Sequence, residues 1–410
     1  MTRTITRSRM TRAALVIGAA AALAVAGCSS KSTDNGSGGA NAGPLSIKPL
    51  VQIDSQGKEV PKTDTSTAAN PAGDGKATCD PNLALAYAGA LTGPNAALGI
   101  NIDDGAKLAV DQHNKANPGC QVTLKPFDTE GDPQKATQIV PKLLDDQSVI
   151  GLVGPAFSGE TKATGQQLSD AGMPSLTSSA TNATLTKNGW KTFFRGLAND
   201  ALQGPAVARY LVNTAGYKKI CVVQDNSDYG TGLAQAVAQG LGPAADASCA
   251  VSIKAGDRDF SATVSKLSSA KPDAIFYGGY YSEAAPLVQQ LRSAGVKAAF
   301  VSGDGSNDPQ FLEQAGDSAK DALLSCPCGP APDTFETAYK ALNGQESGVY
   351  SVEAYDLATV MLKGIDAGKK TRAEMVDWVR NYDGQGLARH YKWDSTGELA
   401  NALIWMYQVK

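Results

Sequence analysis

The chain has 410 residues, 37 lysines and arginines against 40 aspartates and glutamates, and a formal net charge of −3. With 42% hydrophobic and 6% aromatic residues, it has the composition of a globular protein. Its mildly acidic balance offers no positive field, which excludes nucleic acid as an expected partner.

The first residues carry Arg3, Arg7, Arg9 and Arg12, followed by an apolar stretch over 13–26. That stretch is too short for a stable transmembrane helix, so a membrane anchor is the weaker reading. The sequence then runs Leu23-Ala24-Val25-Ala26-Gly27-Cys28. A basic start, a short apolar run and small residues before a cleavage point make a secretory signal. The last six residues resemble the lipobox of bacterial lipoproteins, with Val25 where leucine is usual. The resemblance implies removal of residues 1–27, a diacylglyceryl group on Cys28, and a body lipid-anchored on the extracytoplasmic face of the cell membrane. Loss of the four arginines takes the net charge from −3 to −7.

Residues 28–78 read as a flexible tether. They are rich in Ser, Gly, Thr, Asn, Asp and Pro, too poor in apolar side chains to offset the entropy of ordering. A short extended piece is expected around Leu45–Ile53, where apolar residues recur. From Cys79 the chain is long enough for two hydrophobic cores.

The pattern there alternates apolar strand-like runs with amphipathic helices. Strand Leu83–Ala88 precedes a helix from about Leu98 to Ala116. Strand Gln121–Phe127 precedes helix Pro133–Asp146, and Val149–Val153 precedes Gly159–Ala171. Pro174–Thr177 and Thr192–Arg195 complete a first set. A second set runs through helix 200–215, strand Ile220–Gln224, helix Gly232–Leu241, strand Ala250–Lys254 and helix Asp259–Ser269. Strand Asp273–Gly278, helix Ser282–Ala294 and strand Ala298–Ser302 follow. Helices Pro332–Leu342, Tyr350–Ala367 and Arg372–Val379 and strands His390–Trp393 and Leu403–Gln408 close the chain. Continuous Val-, Ile- and Phe-rich strands alternating with helices predict doubly wound parallel sheets of the α/β class. Two such series predict two lobes.

Seven cysteines are present. Lipidation of Cys28 leaves six, an even number in an oxidising compartment. Cys79 and Cys120 each sit just before a predicted strand; Cys221 lies within one and Cys249 precedes another. If the strands of each pair are adjacent and parallel, Cys79–Cys120 and Cys221–Cys249 fall within bridging distance. Cys326 and Cys328, separated by Pro327, are left to close a local ring. Two histidines and no paired C-x-x-C argue against zinc, so no metal and no cofactor is expected.

Open parallel sheets bind ligands at the carboxyl ends of their strands. The loops there are small and polar: 89–99, 154–161 and 178–182 in the first series, 224–230, 277–283 and 302–307 in the second. Amide groups at helix N-termini in such loops suit a carboxylate; ordinary capping by Ser158 and Thr181 is the plainer alternative. Residues 154–161 nearly match a P-loop, but Glu160 stands at the lysine position and would repel phosphate. No G-x-S-x-G elbow occurs. His113 lies on a helix stripe with Ile102, Ala106, Ala109 and Val110 and is a structural residue rather than a base. An enzyme is therefore not expected. Asp304 could hold an ammonium group or simply serve the turn before Gly305.

The succession GALTGPNAALG, DTEGDPQKA, GLVGPAFSGET, RGLANDALQGP, DNSDYGTGLA, YGGYYSEA and SGDG resembles the branched-chain amino-acid (Leu/Ile/Val) binding proteins of ABC importers, from about Leu83 to the C-terminus. The resemblance implies the type I periplasmic binding protein fold, two lobes joined by three crossovers: 79–198 with 329–391, and 199–328 with 392–410. It implies a ligand gripped at its carboxylate and ammonium by Ser158, Ser179, Ala180 and Thr181, with Tyr229, Tyr280 and Asp304 from the second lobe. Asp304 is shorter than the family's usual glutamate. Leu98 stands where an aromatic often covers the ligand side chain; Phe157 and Tyr350 are further lining candidates, and Asp200 and Gln203 are hinge-side polar residues. The expected protein is a monomeric substrate-binding lipoprotein that takes a small amino acid, most simply a branched-chain one, and delivers it to ABC permease subunits. Another amino acid, an amide or an aromatic acid as ligand, or a sensing role, remains open from sequence.

Overall fold

The computed structural model describes residues 44–62, 67–399 and 403–410. The expected signal over 1–27 and the lipidation site Cys28 lie outside the described residues. The elements in chain order are β1 (Ile47–Ile53), β2 (Ala84–Gly89), α1 (Ala96–Ala116), β3 (Thr123–Asp128), α2 (Pro133–Asp145), β4 (Val149–Val153), α3 (Ser158–Asp170), β5 (Ser175–Thr177) and β6 (Phe193–Arg195). Then come α4 (Asp200–Arg209), β7 (Ile220–Gln224), α5 (Asp228–Leu241), β8 (Val251–Ser252), α6 (Ser261–Ala270), β9 (Ala274–Gly278), α7 (Tyr281–Ser293), β10 (Ala299–Ser302), α8 (Pro309–Ala315) and β11 (Leu323–Cys326). The chain ends with α9 (Asp333–Asn343), α10 (Ser351–Asp366), α11 (Arg372–Arg380), β12 (Asp383–Gln385), β13 (His390–Lys392) and β14 (Ile404–Val409).

Among the described residues the first sheet has the order β3-β2-β4-β5-β6 and is parallel throughout. The second runs β1-β14-β11-β10-β9-β7-β8, parallel from β11 to β8 and antiparallel at β14 and β1. Strands β2, β4 and β9 are buried at every position, because helices cover both sheet faces. That explains why they read as unbroken apolar runs rather than alternations. Two βα series, each with its own sheet, give the α/β two-lobed architecture. The chain passes from the second sheet to the first after β1, back after β6, leaves again after β11 and returns at β14.

Several boundaries differ from the sequence expectation. Strand β1 is the extended piece expected around Leu45–Ile53, set inside the stretch otherwise expected as tether. It pairs antiparallel with β14 from Ile47↔Val409 to Ile53↔Ile404 and so covers an edge that β14 would otherwise expose. Helix α5 starts at Asp228 rather than Gly232, because the Ser227 side chain accepts from Gly230 N at 2.8 Å. The helix expected over 200–215 leaves α geometry after Arg209 and widens to a π-turn over Tyr210–Thr214.

Helix α10 lies along α1. The approach is close enough that a Cβ on Gly105 would stand 2.1 Å from the Ser351 carbonyl oxygen. Only glycine fits there, and α10 thereby belongs to the first lobe. Disulfides join Cys79–Cys120, Cys221–Cys249 and Cys326–Cys328. No described helix is long and apolar enough to cross a membrane.

Candidate ligand-binding site

Loops at the carboxyl ends of the parallel strands of both lobes line a small cavity of about 20 Å³. From the first lobe it is lined by Leu98 and Ile102 on α1, Ala156, Phe157 and Ser158 at the start of α3, Ser179 after β5, and Tyr350 before α10. The second lobe supplies Tyr229 on α5, Tyr280 before α7, and Asp304 and Gly305 after β10. Helices α3, α5 and α7 therefore present their N-terminal ends here, where the helix dipole favours negative charge.

The lobes are in contact around this space. Lys162 Nζ meets Asp228 Oδ1 at 2.6 Å, Asn182 Nδ2 donates to the Asp228 carbonyl at 2.6 Å, and Asn101 Nδ2 donates to Asp308 Oδ2 at 2.9 Å. The rings of Phe157 and Tyr280 lie 5.4 Å apart and those of Tyr229 and Tyr280 5.0 Å apart. This aromatic run crosses from one lobe to the other and makes an apolar wall suited to an aliphatic group.

One side of the cleft is built for hydrogen bonding. The Ser158 hydroxyl accepts from Asn182 N at 3.2 Å, and Ser179 Oγ donates to the Ala156 carbonyl at 2.6 Å. These bonds tie the loop after β4 to the loop after β5. Ser158 is the first residue of α3, and the Phe157 amide is satisfied by Glu160 Oε2 at 3.2 Å; Ser158 therefore does not act as the cap. Ala180 and Thr181 are fully buried but stand behind the lining. The Ala180 carbonyl accepts from the Arg195 guanidinium, and the Thr181 carbonyl accepts from Asp200 N at 2.9 Å.

On the other side stands Asp304, buried at 2% exposure. Its Oδ1 accepts from Gln203 Nε2 at 2.9 Å, and its Oδ2 accepts from the Tyr350 hydroxyl. Gln203 Nε2 also reaches Ser325 Oγ at 3.1 Å. Among the described residues Asp304 forms no ion pair. Burial pushes its pKa up, while the hydrogen bonds from Tyr350 and Gln203 pull it down. Asp200 is buried nearby, beside the Thr181 hydroxyl. Burial, then repulsion from Asp304, lifts it to about 8. Asp304 is thus the carboxylate in the cleft wall, with no cation beside it among the described residues, which favours a cationic group.

All of the sequence-expected ligand contacts except Ala180 and Thr181 reach the lining. Sequence reasoning missed Ile102, Ala156 and Gly305 as lining residues. Ile102 had a signal: it lies one turn beyond Leu98, on the same face of α1. Arg195 was also missed. It is fully buried, pairs with Glu398 (Nε to Oε2 3.1 Å) and donates to the carbonyls of Ala180 and Asn182, so it braces the loop behind Ser179. His113, Cys120 and Asp366 lie close together, but the Cys120 sulfur is bridged to Cys79 and offers no thiolate.

The periplasmic binding protein family model matches residues 83–410. The chain belongs to the periplasmic binding protein family. It is 31% identical over 337 residues to the leucine-, isoleucine-, valine-, threonine- and alanine-binding protein of Pseudomonas aeruginosa, covering 80% of this chain and 89% of that protein. It is 28% identical to the Leu/Ile/Val-binding protein of Escherichia coli, covering 78% and 88%. A Streptococcus pneumoniae branched-chain amino acid transporter substrate-binding protein, solved with isoleucine, superposes with a TM-score of 0.73 at 28% identity, over 79% of this chain and 95% of that one. These relatives are binding proteins and not enzymes. Like other periplasmic binding proteins, the chain is an α/β protein with two parallel-sheet lobes.

Proposed function

We propose that this periplasmic binding protein is the lipid-anchored, extracytoplasmic substrate-binding subunit of an ABC importer, and that it holds an α-amino acid with an aliphatic side chain between its lobes. The observation that carries the reading is Asp304: a buried carboxylate without a cation partner among the described residues, across the cleft from Ser158 and Ser179. An α-ammonium would fill the missing charge at Asp304. The α-carboxylate would lie against the hydroxyls and the N-terminal end of α3. The side chain would face Leu98, Ile102, Phe157 and the tyrosines. Burying an isobutyl-sized group there is worth about 1.5–3 kcal/mol. The names of the relatives, which bind leucine, isoleucine or valine, support the same ligand class. The anchor rests on the cysteine at position 28 and the segment before it. The eighteen residues from 29 to 46 would let the body stand off by at most about 60 Å.

A thermal-shift screen of the twenty amino acids and of small amides and aromatic acids tests the ligand class. A ligand at one hundred times its dissociation constant adds about 2.7 kcal/mol of stability. Leucine, isoleucine or valine should give the largest shifts. A response confined to an aromatic acid or an amide would point to the other ligand chemistries.

A further inference from the structure

Tyr350 and Asp304 come from different lobes. Tyr350 immediately precedes α10, which is packed along α1 of the first lobe. Asp304 follows β10 of the second lobe. The tyrosine backbone has φ +69°, a left-handed conformation that a bulky side chain adopts only when its surroundings impose it. The Ala354 amide fastens the Tyr350 carbonyl at 2.9 Å, and the phenol is carried across the cleft to Asp304 Oδ2. The other carboxylate oxygen is fixed from within the second lobe by Gln203. Asp304 therefore has its full pair of neutral donors only when the lobes meet. The other polar contacts across the cleft described above, Asn101–Asp308, Lys162–Asp228 and Asn182–Asp228, involve none of the cleft-lining residues.

We propose that Tyr350 is a positioning residue that couples lobe closure to charge recognition: its hydroxyl, delivered by the first lobe, orients the Asp304 carboxylate of the second lobe to receive the ligand's ammonium. The proposal rests on the amino-acid reading of the site. A carboxylate held by neutral donors on both oxygens keeps its negative charge and has lone pairs left for a cation. In an open molecule Asp304 would keep Gln203 but lose Tyr350. Ammonium binding is thereby made strongest in the closed form, so an amino acid would favour closure more than a bare carboxylic acid does.

The titratable and charged groups that face Asp304 are Asp200 from α4, Tyr229 from α5, Tyr280 from the turn before α7, and Tyr350 itself; Arg195 and Glu398 stand behind Asp200. Of these, Tyr350 and then Tyr229 lower the pKa of Asp304 through hydrogen bonds, and Asp304 in turn raises that of Asp200. Removing the Tyr350 hydroxyl should raise the Asp304 pKa, so binding should weaken at a higher pH on the acid side.

The test is calorimetric titration of the wild-type protein and of Tyr350→Phe with leucine and with 4-methylpentanoate, its des-amino analogue, from pH 4.5 to 8. At pH 7 the variant should bind leucine about tenfold to a hundredfold more weakly, the loss expected for a hydrogen bond to a charged group. Its affinity for 4-methylpentanoate should change less than about threefold. The acid limb of its leucine profile should move to higher pH. Asn101→Ala, which loosens closure away from the ligand, should affect both ligands alike and leave the profile in place. Equal losses for both ligands with an unmoved profile would make Tyr350 a packing residue and overturn the proposal, as would unchanged leucine binding. If the wild-type protein binds none of the amino acids, the functional reading and this inference fall together.

Discussion

Replacing Asp304 by asparagine separates what the site does for the ligand from what it does for the fold. The substitution keeps the shape and one acceptor oxygen but removes the charge, and it turns an amide NH2 toward either Gln203 or Tyr350, both of which donate to the native carboxylate. Two losses follow. The ligand's ammonium faces a neutral group in a closed cleft, and one protein donor faces another donor. Removing one partner of a desolvated charge pair costs about 2–5 kcal/mol of binding, so leucine affinity should fall by a factor of roughly thirty or more, chiefly through faster release. Stability of the unliganded protein should move the other way. Burial raises the Asp304 pKa, which means that the folded state holds its proton more tightly than the unfolded chain does. Its ionised form is therefore a cost to folding near neutral pH, and asparagine removes that cost. Calorimetry with leucine and thermal unfolding without it read the two effects separately. An Asp304→Asn protein that binds leucine within threefold of wild type would refute the reasoning. A much lower melting temperature would show that Asp304 serves the fold more than the ligand.

Other outcomes follow from the same geometry. Leu98→Ala enlarges the wall next to Ile102 and Phe157 and should shift the relative affinities for large and small aliphatic side chains by about tenfold, while an amino group stays required; competition binding with valine, leucine and phenylalanine checks this. Glu160 is buried, bonds the Thr129 hydroxyl and is lifted by burial to about 8. An acid raised in the folded state contributes stability that is full below its unfolded pKa and is lost as pH rises through the folded one. Wild-type stability without ligand should therefore decline between about pH 4.5 and 8, and Glu160→Gln should flatten that decline; chemical unfolding at pH 5 and pH 8 measures it.

Much of the architecture was legible because helices on both sheet faces force strands to be continuously apolar. Strands β2, β4, β7 and β9 could be read for that reason, and with them the loops that carry Ser158, Ser179, Tyr229, Tyr280 and Asp304. Helix starts were less legible where a side chain one residue upstream sets the cap, as Ser227 does for α5. Strand β1 left only a weak trace, since its place depends on an edge formed by β14 more than three hundred residues later. The bond between Tyr350 and Asp304 and the brace from Arg195 to Ala180 had no sequence signal at all. The first joins the two lobes across 46 residues; the second spans only 15, but it is aimed by the pairing of Arg195 with Glu398, 203 residues further on.

The central claim is that the cleft selects an α-amino acid through its ammonium group. Calorimetric titration of the wild-type protein with leucine and with 4-methylpentanoate at pH 7 tests it most directly. The two share a carboxylate and an isobutyl side chain and differ in the amino group that Asp304 would hold. Leucine should bind at least about thirtyfold more tightly, in line with the loss expected for a desolvated carboxylate left without its cation. Equal affinity for the two compounds would contradict the account.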